Sequence, residues 1–350
     1  MNLQAIVAFA LSLVASTAYA QGRAGYGFVA SEYQSLPTLT GVLPTLAAYK
    51  VGLVLAWPAG EARAPARLDF VRAAHAQGVT VNPWLLLPEE QGYWANATNA
   101  ELYDAAARAL IDAWLAAGLA PSTLVVDMEM PIQRARGLGT VITGGGDVTA
   151  VSNFLRPFID RTQYARATTV FRSLIDYAHR RGFLVELTAL AQVLDDYGDG
   201  DDGIRQSFSV PLDTIAWDTV SFQAYRTLND VLTSASAPPT TAYYVLDYAL
   251  RARALFGARA GVSLGLVDPG ALAPGAARYS SGSSLREDVN AAALAGISRS
   301  KIVVYSLDGM LLRPPTTQWF PAASLIRLPP LPDLATLISR LNAAQLDAAL

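Results

Sequence analysis

The chain has 350 residues, of which 52% are hydrophobic and 16% are charged, and its formal net charge is −3. These values allow one large domain with a substantial core, and the weak negative charge argues against a nucleic-acid partner. The absence of cysteine excludes disulfides, a thiolate nucleophile, cysteine-ligated zinc and lipoprotein-type acylation. Only two histidines occur, His75 and His179, and both fall where helices are predicted to end, which argues against Ser-His-Asp hydrolysis and histidine-based metal sites. We therefore expect no metal and no other cofactor.

The first residues have the pattern of a secretory signal peptide. Residues 2–22 carry no charged side chain, and the short apolar run 5–14 is followed by Ser-Thr-Ala-Tyr-Ala at residues 16–20. This pattern predicts cleavage after Ala20, which would leave residues 21–350 as one domain. An N-terminal anchor helix is the alternative because no Lys or Arg precedes the run, although the run is short for a membrane span. We expect a secreted or periplasmic protein with no membrane contact after cleavage.

Eight apolar, strand-like runs follow in chain order, at residues 26–30, 51–57, 79–86, 124–130, 183–190, 219–225, 262–268 and 301–307. Segments with the helical period of 3.6 residues lie between them, at residues 66–77, 100–117, 167–181, 241–256 and 285–295. Several of these segments are followed by a glycine that suits a helix C-terminus, namely Gly78, Gly118, Gly182, Gly261 and Gly296. Eight alternations of strand and helix predict an α/β fold, the parallel (β/α)8 TIM barrel.

Two connections are longer than usual and are predicted to be insertions after the fourth and fifth strands. They span residues 131–166 and 192–210, and loops at this end of a barrel are the usual place for a binding cleft. The second contains five aspartates between 195 and 202, which we interpret as a solvated acidic loop, with a calcium site as the alternative. Residues 334–350 are predicted to form a helix that closes the barrel.

Two acids at the end of the fourth strand are the leading candidates for catalysis. Asp127 and Glu129 are two residues apart, so they share a strand face with Val125. Neighbouring carboxylates in an apolar surround raise each other's pKa, and one of them can then keep its proton near neutral pH. Such a group can protonate a glycosidic oxygen while the other stabilises positive charge. A buried structural pair is the alternative.

Other polar and aromatic residues at the strand ends could bind a substrate. Gln223 and Tyr225 share a face at the end of the sixth strand and suit substrate hydrogen bonds. The other candidates for substrate binding are Glu32, Trp57, Trp84, Gln192 and Tyr305. Trp57 and Trp84 could stack on a sugar ring or could cover the core.

Three strand motifs, in the order in which they occur, resemble those of family 18 glycoside hydrolases, the chitinase family, and especially its single-domain plant branch. Asp127-Met128-Glu129 matches the end of the fourth-strand signature Asp-Gly-x-Asp-x-Asp-x-Glu. Residues 187–192 match the fifth-strand pattern Leu-Thr-Ala-x-x-Gln, and Gln223-Ala224-Tyr225 matches Gln-x-Tyr on the sixth. On the eighth strand, where the family has a Trp, this chain has Tyr305.

The resemblance implies cleavage at a β-linked N-acetylglucosamine with retention, assisted by the acetamido group of the substrate. Glu129 would be the acid, Asp127 would orient the acetamido group and Tyr225 would hold it. Val125 stands where the signature has its middle Asp, and this difference favours the alternative of a barrel that binds a glycan without cutting it. An Asp-x-Glu at a barrel strand end also occurs in lysozyme-like family 25 hydrolases.

We therefore expect an exported glycoside hydrolase whose partner is a β-linked, N-acetylated oligo- or polysaccharide. A non-catalytic glycan-binding barrel is the alternative. An enzyme for uronic acid polymers would need a basic mouth, for which only Arg134, Arg136 and Arg226 are available.

Overall fold

The fold is taken from a computed structural model, which describes residues 23–197, 201–232, 239–267, 278–320, 324–325 and 331–350. The predicted signal peptide, residues 1–20, lies outside the described residues. Within the described ranges, no helix combines the length and the apolar character that crossing a membrane requires.

Eight parallel strands form a closed barrel in which each strand pairs with its neighbours in chain order. They are β1 (Phe28–Ser31), β2 (Gly52–Pro58), β3 (Val81–Leu86), β4 (Thr123–Met128), β5 (Leu184–Leu190), β6 (Thr219–Gln223), β7 (Ala260–Leu264) and β8 (Ile302–Tyr305). The barrel closes where Val29 of β1 pairs with Val304 of β8. The predicted TIM barrel is confirmed.

Helices surround the barrel or extend its loops. They are α1 (Leu36–Tyr49), α2 (Pro65–Ala76), α3 (Ala100–Ala116), α4 (Ile132–Thr143), α5 (Val148–Leu155), α6 (Arg161–His179), α7 (Gly203–Ser207), α8 (Arg226–Leu232), α9 (Tyr243–Phe256), α10 (Gly282–Leu294), α11 (Leu307–Leu311) and α12 (Leu334–Asp347). A two-residue strand, Arg23–Ala24, pairs antiparallel with Ser324–Leu325.

The alternation of side chains along each strand divides the apolar residues into two cores. Val125 packs with Val54, Trp84 and Val303 inside the barrel, whereas Leu124 and its even-numbered neighbours on β4 pack outward against the helices. Asp127 therefore points into the barrel on the same face as Val125, as its spacing predicts.

Four of the five glycines expected at helix ends have the left-handed backbone that favours glycine. These are Gly78, Gly118, Gly182 and Gly296, whose φ lies between 72° and 82°. Gly261 lies inside β7 instead, where a Cβ atom would come within 3.0 Å of the Lys301 carbonyl oxygen. Close packing therefore requires glycine at this position. The residue with a positive φ at the end of helix α9 is Gly257.

The two long connections have structure of their own. The first folds into α4, α5 and the beginning of α6. The second begins with a short 3-10 helix, Ala191–Tyr197. Its Asp195 and Asp196 are buried, and Arg251 and Arg205 form ion pairs with them, so the expectation of a solvated loop is wrong for these two. Asp199 lies outside the described residues.

The C-terminal helix forms, but it does not close the barrel. Helix α12 packs on α5, on α7 and on the 191–197 segment, beside the insertions after β4 and β5. Polar contacts hold α12 in this place, because Arg340 pairs with Asp247 on α9 and with Asp195.

Candidate active site

The carboxyl pair lies at the C-terminal end of β4, and the connection after β3 fixes its backbone. The Ala95 N–H donates to the Asp127 carbonyl oxygen at 2.9 Å, and the Glu129 N–H donates to the Ala95 carbonyl oxygen at 3.0 Å. This pairing extends the strand geometry beyond Met128. Glu129 thereby keeps the alternation of the strand and lies on the same face as Asp127.

Gln223 joins the two carboxyl groups. Its Nε2 donates to Asp127 Oδ1 at 3.0 Å and to Glu129 Oε1 at 2.6 Å. All three side chains are at least 93% buried. One amide group from β6 thus holds both acids of β4 across the barrel.

Burial is the largest influence on the protonation of this pair. It raises the pKa of Glu129 to about 7, and the hydrogen bonds from Gln223 and Asp127 offset part of the rise. Burial, together with the charges of Glu129 and Glu32, raises the pKa of Asp127 well above its usual range. Both carboxyl groups of the pair therefore bind a proton more tightly than an exposed Asp or Glu does.

A third carboxyl group completes the polar part of the mouth. Glu32, just beyond β1, accepts a hydrogen bond from the Tyr93 hydroxyl at 2.6 Å and another from the Tyr305 hydroxyl. Burial raises the pKa of Glu32, although both hydrogen bonds act against the rise. The Glu32 charge in turn raises the pKa of both Asp127 and Glu129.

Aromatic side chains frame these acids. Tyr305 stacks on Tyr225 with 6.1 Å between ring centroids, and Trp84 meets Tyr305 edge to face at 6.3 Å. The Tyr225 hydroxyl is hydrogen-bonded to Ser263 at 3.0 Å. Among the described residues, the Trp84 Nε1–H has no hydrogen-bond partner although the residue is only 5% exposed. A buried donor of this kind can bind an acceptor on a ligand.

Two of the candidate binding residues lie elsewhere. Trp57 belongs to the outer core, where its ring packs against Trp114 and its indole N–H donates to the Glu61 carbonyl oxygen. On β2 the odd-numbered side chains point outward to the helices, so Trp57 cannot stack on a sugar in the mouth. Gln192 lies beyond the end of β5, and its Nε2 donates to the Tyr244 hydroxyl on α9. The structure brings together Asp127, Glu129, Gln223, Tyr225, Glu32, Trp84 and Tyr305.

The sequence reasoning missed two residues of the site, Ser263 and Tyr93, and it named Asp308 only among the polar residues at the strand ends. Ser263 lies on β7 with an inward side chain, a position that the alternation along the strand could have revealed. Tyr93 lies in an irregular connection that carries no periodic signal. Asp308 follows β8 and accepts hydrogen bonds from Ser31 Oγ and from the Glu32 and Tyr33 N–H groups, so it fixes the backbone that carries Glu32.

The arginines that a uronic acid substrate would need are engaged in the structure. Arg134 donates to Ser209 Oγ, Arg136 pairs with Glu89 and Arg226 pairs with the buried Asp288. None of the three contacts the carboxyl groups of the mouth in the described part of the chain, which therefore offers no basic surface there.

One group of three acids lies close enough to share a cation. Asp196, Asp201 and Asp347 each place an oxygen within 4.8 Å of the others. The Asp196 carboxylate already accepts hydrogen bonds from the Ile204 and Arg205 N–H groups and from the Arg205 guanidinium. This group therefore has a structural role in joining the insertion after β5 to α12.

The fold and the site define a TIM barrel with a buried carboxyl pair at its mouth. No family model and no curated protein matches the chain. Among solved structures, the chain is similar to the PgaB (BpsB) glycoside hydrolase domain of Bordetella bronchiseptica, with 13% identity, a TM-score of 0.48 and coverage of 83% of this chain and 97% of that one.

Two further solved structures have similar barrels. The D-allulose 3-epimerase of Methylomonas sp. is 13% identical with a TM-score of 0.42, and the match covers 93% of this chain and 96% of that one. A xylose isomerase domain protein of Planctomyces limnophilus is 11% identical with a TM-score of 0.42, and the match covers 81% of this chain and 90% of that one. These likenesses concern the barrel fold.

Proposed function

We propose that the protein is a glycoside hydrolase that acts on a β-linked, N-acetylated glycan. The observation that carries this proposal is the Asp127–Glu129 pair, buried at the C-terminal end of a barrel strand and bridged by Gln223. Active sites of TIM barrels lie at this end of the strands. A carboxyl group with a pKa of about 7, such as Glu129, is matched to proton donation near neutral pH.

In the proposed reaction, Glu129 donates its proton to the glycosidic oxygen as the bond to the anomeric carbon breaks. The acetamido oxygen of the same sugar attacks that carbon and forms a cyclic intermediate. Glu129 then accepts a proton from the water that opens the intermediate, so the configuration is retained. Asp127 orients the acetamido group, and Tyr225 holds it by a hydrogen bond. This division of roles is the one that the resemblance to family 18 implies.

Trp84 supports the proposal that the mouth binds a polar ligand. Its indole N–H can only donate, and it has no partner among the described residues, while its ring lies in the inner cluster with Tyr305 and Tyr225. Sugar hydroxyl and acetamido oxygens are acceptors of the required kind. The aromatic rings around it present faces on which a sugar can stack.

A glycan-binding barrel without catalysis is the second candidate. The observation that favours it is Val125, which lies inside the barrel on the same face as Asp127 and contributes no acid to support the pair. In this reading, Gln223 and the carboxyl groups bind hydroxyl groups and no bond is cut.

Hydrolysis and binding of chitin, peptidoglycan and plain β-glucan oligomers, measured in parallel, separate the two candidates. We expect wild type to cut an N-acetylated oligomer and Glu129→Gln to lose at least about a hundredfold in rate while it still binds. Glu186→Gln is the matched control, since Glu186 is also a buried, inward-facing glutamate but lies nearer the opposite end of the barrel. Activity that persists in Glu129→Gln would refute the assigned role, and binding without hydrolysis in wild type would establish the second candidate.

We also propose that the protein is exported, on the evidence of the apolar N-terminal run and the small residues that follow it. The mature protein, recovered from the periplasm or the medium, should begin at Gln21 by N-terminal sequencing. A protein that keeps residues 1–20 in the membrane fraction would instead indicate the anchor.

A further inference from the structure

The C-terminal helix α12 exposes three of its four leucines. A surface helix normally buries its large apolar side chains and exposes its polar ones. The buried side chains of α12 are small or polar, namely Ala335, Thr336, Ala343 and Asp347. Ser339 and Arg340 also face inward, to Asn229 and to Asp247. Of the four leucines of α12, Leu346 packs against the core, and Leu334, Leu337 and Leu341 are left for the outer face.

The outer face carries a continuous apolar stripe. Leu334, Leu337 and Leu341 are 52–58% exposed, and Ala344 and Ala348 continue the line on the exposed surface. The intervals are three, four, three and four residues, which is the spacing of a coiled-coil seam. Four of the nine large hydrophobic residues that the described part of the chain exposes lie between residues 331 and 341. A single exposed leucine is unremarkable, but a stripe with this period indicates a helical partner.

We propose that this stripe is the interface at which two copies of the chain associate, with their α12 helices antiparallel. A two-fold axis pairs the same surface with itself. With the axis at residue 339, Leu337 of each copy lies opposite Leu341 of the other, and Leu334 lies opposite Ala344. The two central layers of the interface then each pair Leu337 with Leu341. Each outer layer pairs Leu334 with the smaller Ala344, so the stripe is complementary to itself.

The surroundings of the stripe argue against a membrane as its partner. Helices that lie on membrane surfaces carry Lys and Arg on their polar side, which attract anionic lipids. The only basic residue of α12 is Arg340, and its guanidinium is engaged with Asp247 and Asp195. The exposed residues beside the stripe, Asn342 and Gln345, are uncharged.

The length of the helix limits the strength of this association. A helix of 14 residues buries less than the roughly 800 Å² per partner that a standard stable interface contains. We therefore expect a weak, reversible dimer rather than an obligate one.

Sedimentation velocity of the purified chain, between about 1 and about 300 µM, tests the proposal. Wild type should shift from monomer to dimer over this range, and Leu337→Lys/Leu341→Lys should remain a monomer. Leu312→Lys, at a 69% exposed leucine outside the stripe, is the matched control and should dimerise as wild type does. A wild type that is monomeric throughout, or a double variant that still dimerises, would overturn the proposal.

Disulfide trapping tests the orientation independently, because the chain has no cysteine of its own. A mixture of Leu337→Cys and Leu341→Cys should form a mixed disulfide under mild oxidation, whereas each variant alone should cross-link poorly. Efficient cross-linking of Leu337→Cys with itself would indicate parallel helices and overturn the antiparallel arrangement. Neither variant lies in the barrel mouth, so failure here leaves the proposed hydrolase activity untouched.

Discussion

The indole N–H of Trp84 is a buried hydrogen-bond donor in the barrel mouth that can bind a ligand. Its ring is held by Tyr305 and by the apolar interior of the barrel, while its N–H has no partner among the described residues. The packing of the ring stabilises the fold, whereas the N–H makes no hydrogen bond that would stabilise it. A donor that is buried without a partner costs free energy in the absence of a ligand.

We expect Trp84→Phe to separate these two contributions. The variant keeps an aromatic ring but loses the donor and part of the ring volume, so the free energy of unfolding should fall by about 0.5 to 3 kcal/mol, whereas KM for the substrate should rise roughly three- to tenfold. Thermal unfolding and steady-state kinetics measure the two effects. An unchanged KM would show that the N–H does not bind the substrate.

Glu186 is a buried acid that has no role in the proposed reaction. It faces the inside of the barrel on β5, its Oε1 has no hydrogen-bond partner in the described structure, and burial raises its pKa to about 7. A carboxyl group whose pKa is raised by folding binds its proton more tightly in the folded state. Stability is therefore greatest below the unfolded-state pKa near 4.5 and is lost as the pH rises through about 7.

Glu186→Gln should remove this loss. We expect the variant to match wild type near pH 4 and to exceed its free energy of unfolding by up to about 3 kcal/mol at pH 8, since one unit of pKa corresponds to about 1.4 kcal/mol. Urea unfolding across this pH range measures the difference. A constant difference between the two proteins at every pH would exclude titration of Glu186 as its cause.

At the scale of elements, Asp308 joins the two strands at which the barrel closes. It lies in α11, directly after β8, and accepts three hydrogen bonds, one from Ser31 at the end of β1 and two from the residues that follow β1. Two of its donors are the backbone N–H groups of Glu32 and Tyr33, so the position of Glu32 in the mouth depends on it. Asp308 is 2% exposed, and water cannot replace it without a local opening.

Asp308→Ala should destabilise the protein by about 2 to 4 kcal/mol, because buried donors then lose a charged acceptor. Asp308→Asn keeps the shape and one oxygen acceptor and should lose less. The midpoint of urea unfolding gives the comparison. Equal losses in the two variants would indicate that charge, rather than hydrogen bonding at this position, holds the strands.

The strands were more predictable from the sequence than the connections between them. All eight barrel strands follow from apolar runs, because a strand buried on both faces is apolar at every position. Helix α1 was missed, since its two prolines and three threonines resemble a loop; Ser35, whose side chain accepts a hydrogen bond from the Thr38 N–H, begins it. The insertion after β4 contains α4, whose two glycines mask its helical character, and α5, which is only eight residues long.

The site was predictable where the alternation along a strand determines it. Asp127, Glu129, Gln223 and Tyr225 came from this rule. Trp57 shows that a place near the end of a strand is not sufficient evidence for a site residue. It is the penultimate residue of β2, but its side chain points to the outer face of the barrel. Tyr93 and Ala95 come from an irregular connection that no periodicity describes, and only the folded chain shows that they hold Glu32 and the backbone of the pair.

At the scale of the whole molecule, the barrel brings three carboxyl groups from two distant parts of the chain into one mouth. Glu32 and the Asp127–Glu129 pair are about 95 residues apart in sequence, yet the charge of Glu32 raises the pKa of both acids of the pair. Burial and mutual repulsion favour the protonated forms, while Gln223 favours the ionised ones. The activity that we propose depends on this balance.

The pH dependence of hydrolysis tests that balance most directly. If Glu129 is the acid, kcat/KM of wild type should fall as the pH rises through about 7, because the deprotonated acid cannot donate. Gln223→Leu removes the hydrogen bonds that lower the pKa of Asp127 and of Glu129, so this fall should move to higher pH. An activity that increases through pH 7, or a fall at the same pH in both proteins, would contradict the assignment of the pair as the proton donor.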